Sequence, residues 1–295
     1  GRFKAMIRLL NNNDYDDYEL FLKPFAATSM FLRSNALRAG LEYNGQDFQG
    51  EYLGSFDESD RLNGVLAHYW NHNLMMHVEN DRILMDLLGS FQRACSKRPV
   101  KGILGPDRYV ERAINTILPE TAEFAINRSE GLYSLDLGRL KMPHLSSDPQ
   151  ISMQEASDID RSLLKNWLRD FEIEALGAED NQHLEQTVHN RVQRTVNSGD
   201  SWVLVHDGLP VGLSGISARL PDIVQIGPVW TPPEFRGRGY ARTLVSLILA
   251  KAKQEDVKQS VLFTDNPAAA RAYNSIGYEK TGTYRLALLK SPVLP

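Results

Sequence analysis

Arginine and glycine residues that could hold a phosphate group lie close together at positions 236–242. Gly237 and Gly239 allow the main chain to turn tightly and to bring bare N–H groups near a ligand. Apolar residues at helical spacing in 244–249 predict a helix directly after this turn, and the start of a helix carries partial positive charge. The cationic side chains around the turn are Arg236, Arg238 and Arg242. We therefore predict a pyrophosphate cradle at this turn.

Two common phosphate-binding motifs do not account for this turn. The dinucleotide fingerprint requires a third glycine where this chain has Arg242. The P-loop requires a Gly-Lys-Ser/Thr ending, which is absent from the turn. The glycines alone are therefore weak evidence of function, and a second motif is needed.

That second motif follows a β-rich run at 260–265. Asn266 is typical of a helix N-cap, Pro267 of the first helical residue and Gly277 of a C-terminal stop. The sequence therefore predicts a strand, a sharp helix start and a short helix about thirty residues after the glycine turn.

Together the two segments resemble the GNAT acetyltransferase superfamily. The acyl-CoA loop of that family, Gln/Arg-x-x-Gly-x-Gly/Ala, is matched by Arg236, Gly239 and Ala241. Its later segment, Asn-x-x-Ala-x-x-x-Tyr-x-x-x-Gly-Phe/Tyr, is matched by Asn266, Ala269, Tyr273, Gly277 and Tyr278. The resemblance implies acetyl-CoA as cosubstrate and acyl transfer to an amine.

The resemblance also implies roles for individual residues. It places the hydroxyl of Tyr273 near the thioester sulfur, as the acid that protonates the leaving thiolate; the alternative is that Tyr273 only packs its helix against the sheet. The N–H of Val229 or Trp230 would stabilise the oxyanion. The residues predicted to contact the cofactor are Val229, Trp230, Arg236, Gly237, Arg238, Gly239, Tyr240, Ala241, Arg242 and Asn266.

The general base is predicted from a helix face. Trp167, Phe171 and Glu174 are spaced so that two aromatic rings and a carboxylate share one side of a helix. We predict Glu174 as the base that accepts the amine proton. The alternative is that the aromatic rings enter the core and Glu174 lies at its edge. Asp222 and a chain of water molecules are further candidates.

The remaining elements predict an α+β fold made of two tandem GNAT-like units, each a mostly antiparallel mixed sheet flanked by helices. Pro24 interrupts apolar spacing at 14–41, which indicates two short helices. The other elements predicted in the N-terminal half are strands at 49–56, 62–78 and 100–104, helices at 82–94 and 108–118, and a hairpin turn at 128–131. This order resembles that of the C-terminal half.

The predicted domain limits follow the polar, proline-bracketed segment in the middle of the chain. We predict a degenerate domain at 1–143, a linker at 144–150 and a catalytic domain at 151–295. Glu79 and Asp81 stand where the N-terminal domain would need a phosphate turn, and their carboxylates would repel a pyrophosphate. We therefore expect no cofactor site there, and a role in packing, in shaping the substrate cleft or in dimerisation.

Composition narrows the functional class. The 295 residues carry a net charge of −4, which argues against a general nucleic-acid binder. No apolar run is long enough for a membrane span, so we expect no membrane partner. Cys95 is the only cysteine, so it cannot form an internal disulfide, and we expect an inert thiol and a cytoplasmic protein. His68, His72 and His77 do not share one strand face, and we predict no metal site.

The leading functional hypothesis is an N-acetyltransferase that acts on a small-molecule or amino-acid-like primary amine. Tandem GNAT-like units also occur in enzymes that transfer other acyl groups or use aminoacyl-tRNA; the intact cradle favours coenzyme A over tRNA. The remaining alternative is a non-catalytic acyl-CoA sensor or scaffold. The acceptor and the oligomeric state stay open, and a homodimer is one possibility.

Overall fold

The structure is a computed structural model that describes residues 6–94 and 97–295. Its contacts divide the chain into two compact units. The first unit holds the described residues up to Glu130 together with Thr283–Pro295, and the second unit holds Gly131–Gly282. The predicted domain limits of 1–143 and 151–295 follow the chain in order and stay a prediction. Cys95 lies outside the described residues.

The first unit begins with strand β1, Met6–Leu9. Two helices follow, and the segment with Pro24 separates them as predicted. The helices are α1 (Tyr15–Leu22), α2 (Met30–Ala39), α3 (Asp81–Ala94) and α4 (Asp107–Ile117). The further strands are β2 (Gly50–Phe56), β3 (Leu62–Tyr69), β4 (Asn73–Val78), β5 (Val100–Gly105), and parts of β6 (Phe124–Asp136) and β12 (Glu279–Val293).

The sheet of the first unit has the strand order β1-β2-β3-β4-β5-β12. Its described strand pairs are antiparallel except for β4 with β5, which is parallel. Helices α3 and α4 pack their apolar faces on this sheet, with Leu84, Leu87 and Val110 fully buried. The last strand of this unit comes from the end of the sequence, since Arg285 to Leu288 pair with β5.

The second unit contains the glycine turn. Its helices are α5 (Arg161–Leu176), α6 (Gln182–Asn197), α7 (Tyr240–Gln254) and α8 (Pro267–Ser275). Its strands are β7 (Ile151–Glu155), β8 (Ser201–His206), β9 (Leu209–Arg219), β10 (Ile223–Trp230) and β11 (Gln259–Thr264), and they form a sheet in the order β6-β11-β10-β9-β8-β7. Only β10 with β11 is parallel among its described strand pairs.

Two apolar layers cover the sheet of the second unit. Leu244 and Ile248 of α7 pack with Val224 and Ile226 of β10 in one layer. The other layer joins α5 and α6 to the opposite side of the strands, and Trp230 belongs to it. Because side chains alternate along a strand, β10 contacts both layers. The predicted fold class, a mostly antiparallel mixed sheet flanked by helices, is confirmed.

Two predicted elements of the first unit are wrong. Residues 62–78 form a hairpin rather than one strand, because His72 takes a left-handed conformation (φ 68°) between β3 and β4. Residues 128–131 form no turn, since β6 runs through them without interruption. Gly131 instead allows a close approach: a Cβ there would lie 3.2 Å from the carbonyl oxygen of Thr264 in β11.

The predicted linker at 144–150 is structured. It contains the 3-10 helix His144–Ser147, and Leu145 packs against the core of the second unit. Ile151 donates its N–H to the carbonyl of Asp148 as β7 begins. These residues therefore form part of the wall beside α7. No described helix combines the length and the apolar character that a membrane crossing needs.

Candidate functional site

Strands β10 and β11 separate where the predicted site begins. They pair only through Ile223, Val224 and Gln225 on β10. Beyond that point β11 continues beside β6 as far as Thr264, whereas β10 stays with β9 through two shifts of register. The second half of β10 therefore has no partner on its β11 side among the described strands. An extended, amide-containing ligand could add to this open edge by main-chain hydrogen bonds.

The glycine turn lies directly after this open edge. Gly237 and Gly239 have φ angles of 79° and 81°, in the left-handed region that side-chain-bearing residues rarely adopt. No atom lies within 4 Å of the position that a Cβ of Gly237 would take. The main chain is thus uncovered at Gly237, and its predicted contact with the cofactor stays a prediction.

Helix α7 begins at Tyr240 without a side-chain cap. The N–H groups of residues 237–242 find no acceptor within the described ranges, although the N–H of Arg236 reaches the Pro233 carbonyl at 3.3 Å. Exposed N–H groups at a helix start favour an anion through hydrogen bonds and through the helix dipole. The residues present therefore fit the diphosphate of a coenzyme A thioester.

Arg238 and Arg242 lie beside an open cavity of about 500 Å³ at the same helix start. Gly239 borders this cavity, and so do His144 and Asp148 from the predicted linker. Two guanidinium groups at a site with free N–H donors strengthen its preference for phosphate oxygens. Arg238 also lies over the ring of Phe235, 5.7 Å from its centre.

The Arg236 side chain is held by contacts with other groups of the chain. Its Nη1 and Nη2 contact the two carboxylate oxygens of Glu174 at 2.9 and 3.1 Å, and its Nε donates to the Thr231 carbonyl at 2.8 Å. The structure thus joins two residues that were predicted for different tasks, the cofactor loop and the base. Both side chains are about half exposed, at 42% and 53%. Because solvent screens such pairs to about 0–1 kcal/mol, a bound phosphate can compete for Arg236.

The aromatic face of α5 packs into the core. Trp167 and Phe171 are 7% and 9% exposed, in the layer that α5 and α6 share. The ring of Phe171 lies 6.4 Å from that of Trp230, and the Arg236 guanidinium lies 5.0 Å from the Trp230 ring. Of the predicted wall, Glu174 alone reaches solvent. Asp222 lies at the other end of β10 from Trp230, where its carbonyl accepts the N–H groups of Lys258 and Gln259.

Tyr273 lies on α8 in the core layer that also holds Val229. Its side chain is buried, and its ring centre is 6.0 Å from that of Tyr278. Burial raises the pKa of Tyr273, so the phenol stays protonated at neutral pH. Its hydroxyl has no hydrogen-bond partner in the described part of the chain, whereas the Tyr278 hydroxyl contacts Ser260 Oγ at 2.7 Å. The Tyr273 hydroxyl is thus free to serve a ligand.

Asn266 caps α8, as predicted. Its Oδ1 accepts the N–H groups of Ala268 and Ala269 at 2.9 and 3.2 Å, and Pro267 is the first helical residue. The side-chain carbonyl of Asn266 is therefore occupied by its own helix. Its predicted contact with the cofactor stays a prediction. Val229 and Trp230 point to opposite core layers, and the oxyanion role of their N–H groups stays a prediction as well.

Sequence reasoning missed a partly buried chain of polar contacts beside the start of α7. The Tyr240 hydroxyl lies 2.7 Å from His206 Nδ1, and Asp148 Oδ2 lies 3.3 Å from His206 Nε2. These contacts connect the predicted linker, β8 and the first residue of α7. They join residues 34 and 58 positions apart, so no local pattern could have indicated them. They hold the first residue of α7 against β8 and the 144–150 segment.

The three histidines of the first unit lie in different elements. His68 is in β3, His72 in the turn and His77 in β4. His68 Nε2 contacts the Pro99 carbonyl at 2.9 Å. Within residues 6–94 and 97–295, no group of three or more His, Cys, Asp or Glu side chains is arranged to hold a metal ion.

Comparison with known proteins gives a family and a fold. The sequence model described as Acetyltransferase (GNAT) family matches residues 161–278, which cover α5 to Tyr278. No curated protein sequence matches the chain.

Several solved structures share the fold over nearly the whole chain. A Drosophila protein superposes with a TM-score of 0.60 at 12% identity, covering 97% of this chain and 99% of its own. A tandem GNAT protein from the clavulanic acid biosynthesis pathway, solved without acetyl-CoA, gives 0.56 at 13% identity, covering 98% and 99%. A fungal multi-domain β-N-acetylglucosaminidase with a GCN5-related glucosamine N-acetyltransferase region gives 0.53 at 15% identity; the match covers 97% of this chain but only 38% of that one.

Proposed function

Because this chain belongs to the GNAT acetyltransferase superfamily, we propose that it transfers an acetyl group from acetyl-CoA to a primary amine of a small-molecule or amino-acid-like acceptor by direct attack. The observation that carries the proposal is the row of unpaired N–H groups at residues 237–242, at the open end of β10. We further propose a cytoplasmic location, since Cys95 is the only cysteine.

The cradle residues hold and orient the cosubstrate. The N–H groups of Gly237 to Arg242 would bind the diphosphate, and Arg238 and Arg242 would add charge-assisted hydrogen bonds. The unpaired edge of β10 would bind the amide groups of the pantetheine arm and exclude water from them. Acetyl-CoA, when bound, supplies the acetyl group as a thioester.

Three groups of the chain would then act on the reaction. Glu174 accepts a proton from the attacking amine, whose nitrogen forms a bond to the carbonyl carbon. The N–H of Val229 or Trp230 stabilises the negative charge that develops on the carbonyl oxygen. Tyr273 donates its proton to the sulfur as the carbon–sulfur bond breaks, and solvent returns a proton to its phenolate.

The pair between Glu174 and Arg236 implies an order of binding. A carboxylate whose two oxygens contact a guanidinium is not available to an amine until the pair opens. Phosphate oxygens compete for Arg236, so we propose that cofactor binding releases Glu174 for the acceptor. Acetyl-CoA would accordingly bind before the amine.

The proposed function is tested by following free thiol from acetyl-CoA in the presence of polyamines, amino acids, aminoglycosides and peptides. The informative variant is Glu174→Gln, and Glu179→Gln in the exposed loop after α5 is the matched control. Loss of a general base is expected to lower kcat by about a hundredfold or more, with little change in coenzyme A affinity. An unchanged kcat in Glu174→Gln would remove Glu174 from the mechanism.

The second candidate is a non-catalytic acyl-CoA sensor or scaffold. It is favoured by the engagement of Glu174 with Arg236, which leaves the proposed base occupied. Tight coenzyme A binding by calorimetry without thiol release for any acceptor would support the sensor. Thiol release with a longer acyl-CoA but not with acetyl-CoA would indicate transfer of a different acyl group. Absence of any coenzyme A binding to folded protein would contradict all three.

A further inference from the structure

Helix α7 is the only one of the four α-helices of the second unit that starts without a side-chain cap. Asp160 caps α5 and Asn181 caps α6, each by accepting a main-chain N–H two residues later at 2.9 Å. Asn266 caps α8 in a similar way. A side-chain cap stabilises a helix by about 1 kcal/mol, so the first turn of α7 lacks a local source of stability that the other three helices have.

The missing cap agrees with the proposed function. A capping side chain would occupy N–H groups of the first turn, and these groups are the proposed donors to the diphosphate. Gly239, which precedes the helix, has no side chain that could accept them. A helix start that stays open for an anion must therefore be held by contacts that leave its main-chain N–H groups bare.

The side chain of Tyr240 makes such a contact. Tyr240 is the first residue of α7 and is buried, and its hydroxyl lies 2.7 Å from Nδ1 of His206 in β8. On the other side of the imidazole ring, Nε2 lies 3.3 Å from Asp148 Oδ2, whereas Asp207 Oδ2 is farther away at 3.7 Å. These contacts use side chains only, so they leave the N–H of Tyr240 available to a ligand.

The Asp148 carboxylate sets the direction of the two hydrogen bonds. A carboxylate only accepts, so Nε2 of His206 carries the hydrogen that is donated to Asp148. In the neutral ring, Nδ1 is then the acceptor, and Tyr240 donates its hydroxyl hydrogen to it. The 144–150 segment thus orients His206, and His206 in turn orients Tyr240.

The ring of Tyr240 is packed independently of its hydroxyl. Its centre lies 5.5 Å from that of His206 and 6.3 Å from that of Phe235. The residue also belongs to the core layer that contains Leu244 and Ile248. Phenylalanine can therefore replace Tyr240 and keep this packing, so that only the hydrogen bond is removed.

We propose that Asp148 and His206 are positioning residues for the cosubstrate, and that they act through the hydroxyl of Tyr240. Their contacts take the place of the missing cap and hold the first turn of α7 in the helical conformation, in which its N–H groups point in one direction towards an anion. This inference rests on the proposed function, because the anion is the diphosphate of coenzyme A. It gives the 144–150 segment, predicted as a linker, a part in cosubstrate affinity.

The first test is hydrogen exchange of the ligand-free full chain, followed by NMR. Thr243 donates its N–H to the Gly239 carbonyl at 3.2 Å, so its amide reports on the first turn of α7. Tyr240→Phe is expected to speed the exchange of this amide by about fivefold, the effect of one net hydrogen bond on a local opening equilibrium. The matched control is Tyr278→Phe, because the Tyr278 hydroxyl also has a contact of 2.7 Å, to Ser260 Oγ, and the residue lies in the same core layer. Circular dichroism verifies that both variants fold.

The second test is the affinity for coenzyme A, measured by calorimetry. Tyr240→Phe is expected to raise the Kd by about threefold to tenfold, because the binding-competent start of α7 is populated less. Tyr278→Phe is expected to leave the Kd unchanged. His206→Leu should weaken binding at least as much as Tyr240→Phe, since the tyrosine hydroxyl is then buried without an acceptor. His206→Asn should restore the Kd to within about twofold of the wild-type value, because asparagine Oδ1 is as many bonds from the main chain as Nδ1 and can accept the same hydrogen.

The outcomes separate this inference from the proposed function. Equal Kd values in wild type and Tyr240→Phe, or an equal loss of affinity in Tyr240→Phe and Tyr278→Phe, would overturn the positioning role and leave the proposed cosubstrate in place. Failure of His206→Asn to recover the affinity lost in His206→Leu would also overturn it. Absence of coenzyme A binding by the folded wild type would overturn the proposed function, and the positioning role with it, even where the exchange of the Thr243 amide responds as expected.

Discussion

The two parallel strand pairs, β4/β5 in the first unit and β10/β11 in the second, share the same pairing pattern but differ in the turn that follows the first strand. Each pairs over three residues and then separates, and a helix follows the first strand of each pair. Before α7 the turn contains Gly237 and Gly239 and leaves the amides bare. Before α3 the turn contains Glu79 and Asn80, and Asn80 caps the helix. The strand frame creates an opening, and a few turn residues decide which ligand it suits.

The largest effect is expected when the turn before α7 is made to resemble the turn before α3 by placing a carboxylate at the start of α7. Gly239→Asp places a side chain at a φ of 81° and a negative charge beside the phosphate donors. We expect coenzyme A affinity to fall by about a hundredfold, measured by calorimetry. Gly199→Asp is the control for the backbone conformation, because Gly199 also has a positive φ, of 70°. Equal affinity in both variants would show that the turn does not bind the diphosphate.

A smaller effect is expected from two tyrosines with similar burial. Tyr273→Phe should lower kcat by about tenfold to a hundredfold without weakening coenzyme A binding. Tyr278→Phe should cost about 1 kcal/mol in unfolding free energy through its lost contact with Ser260, and leave kcat unchanged. Burial raises the pKa of Tyr273 above the ordinary tyrosine value of about 10. The phenol therefore stays protonated at least up to pH 10, and we expect no fall in rate from its ionisation below that pH. Initial rates from pH 6 to pH 10 measure the change in kcat and its dependence on pH.

The stability of the first unit around His77 should depend on pH. The pKa of His77 is about 4 in the folded chain because the ring is buried, against an ordinary value of 6.5. The unfolded chain therefore binds the extra proton below pH 6.5, and stability falls as the pH drops from 6.5 towards 4. We expect this difference in the pKa of His77 to lower the free energy of unfolding by about 2 kcal/mol between pH 7 and pH 5. Hydrogen exchange of β4 and β5 measures it, and a pH dependence that persists unchanged in His77→Leu would contradict this assignment.

The smallest expected effect concerns the cap of α3. Asn80→Ala removes the acceptor of the Ile83 N–H and should lower the unfolding free energy by about 1 kcal/mol. Coenzyme A affinity should not change, because the first unit does not supply the cradle. Thermal unfolding and calorimetry measure the two quantities. A rise in affinity at a second site on exposing α3 would show that the cap is what excludes the diphosphate.

The sequence predicted the elements whose signals are local. Gly237, Gly239, Asn266 and Pro267 each fix a main-chain conformation at their own position, and the structure has a tight turn or a helix start at each. The turn before β4 was missed because His72, rather than glycine or proline, takes the left-handed conformation. Gly131 suggested a turn that does not exist, because its small size serves a close approach to β11.

Contacts between distant positions could not be predicted in this way. Glu174 and Arg236 are 62 positions apart, so the helical spacing that identified Glu174 contained no sign of its partner. The pair changes the chemistry expected of both residues. Likewise, the polar segment at 144–150 has the composition of a linker, yet Leu145 and Asp148 hold it to the helix start. The polar composition of a segment indicates that it can be exposed to solvent. Whether the segment packs depends on residues elsewhere in the chain, which composition does not show.

The last strand of the chain has a consequence for biosynthesis. Arg285 to Leu288 complete the sheet beside β5, so part of the first unit is synthesised after the whole of the second. While the ribosome translates residues 131–282, the edge of β5 lacks this neighbour, and unpaired strand edges invite pairing with other chains. Domains that are contiguous in sequence can fold in the order of translation. Here one edge of β5 must wait for the C-terminal residues, and nascent-chain experiments should find the β12-facing amides of β5 protected only after those residues are released.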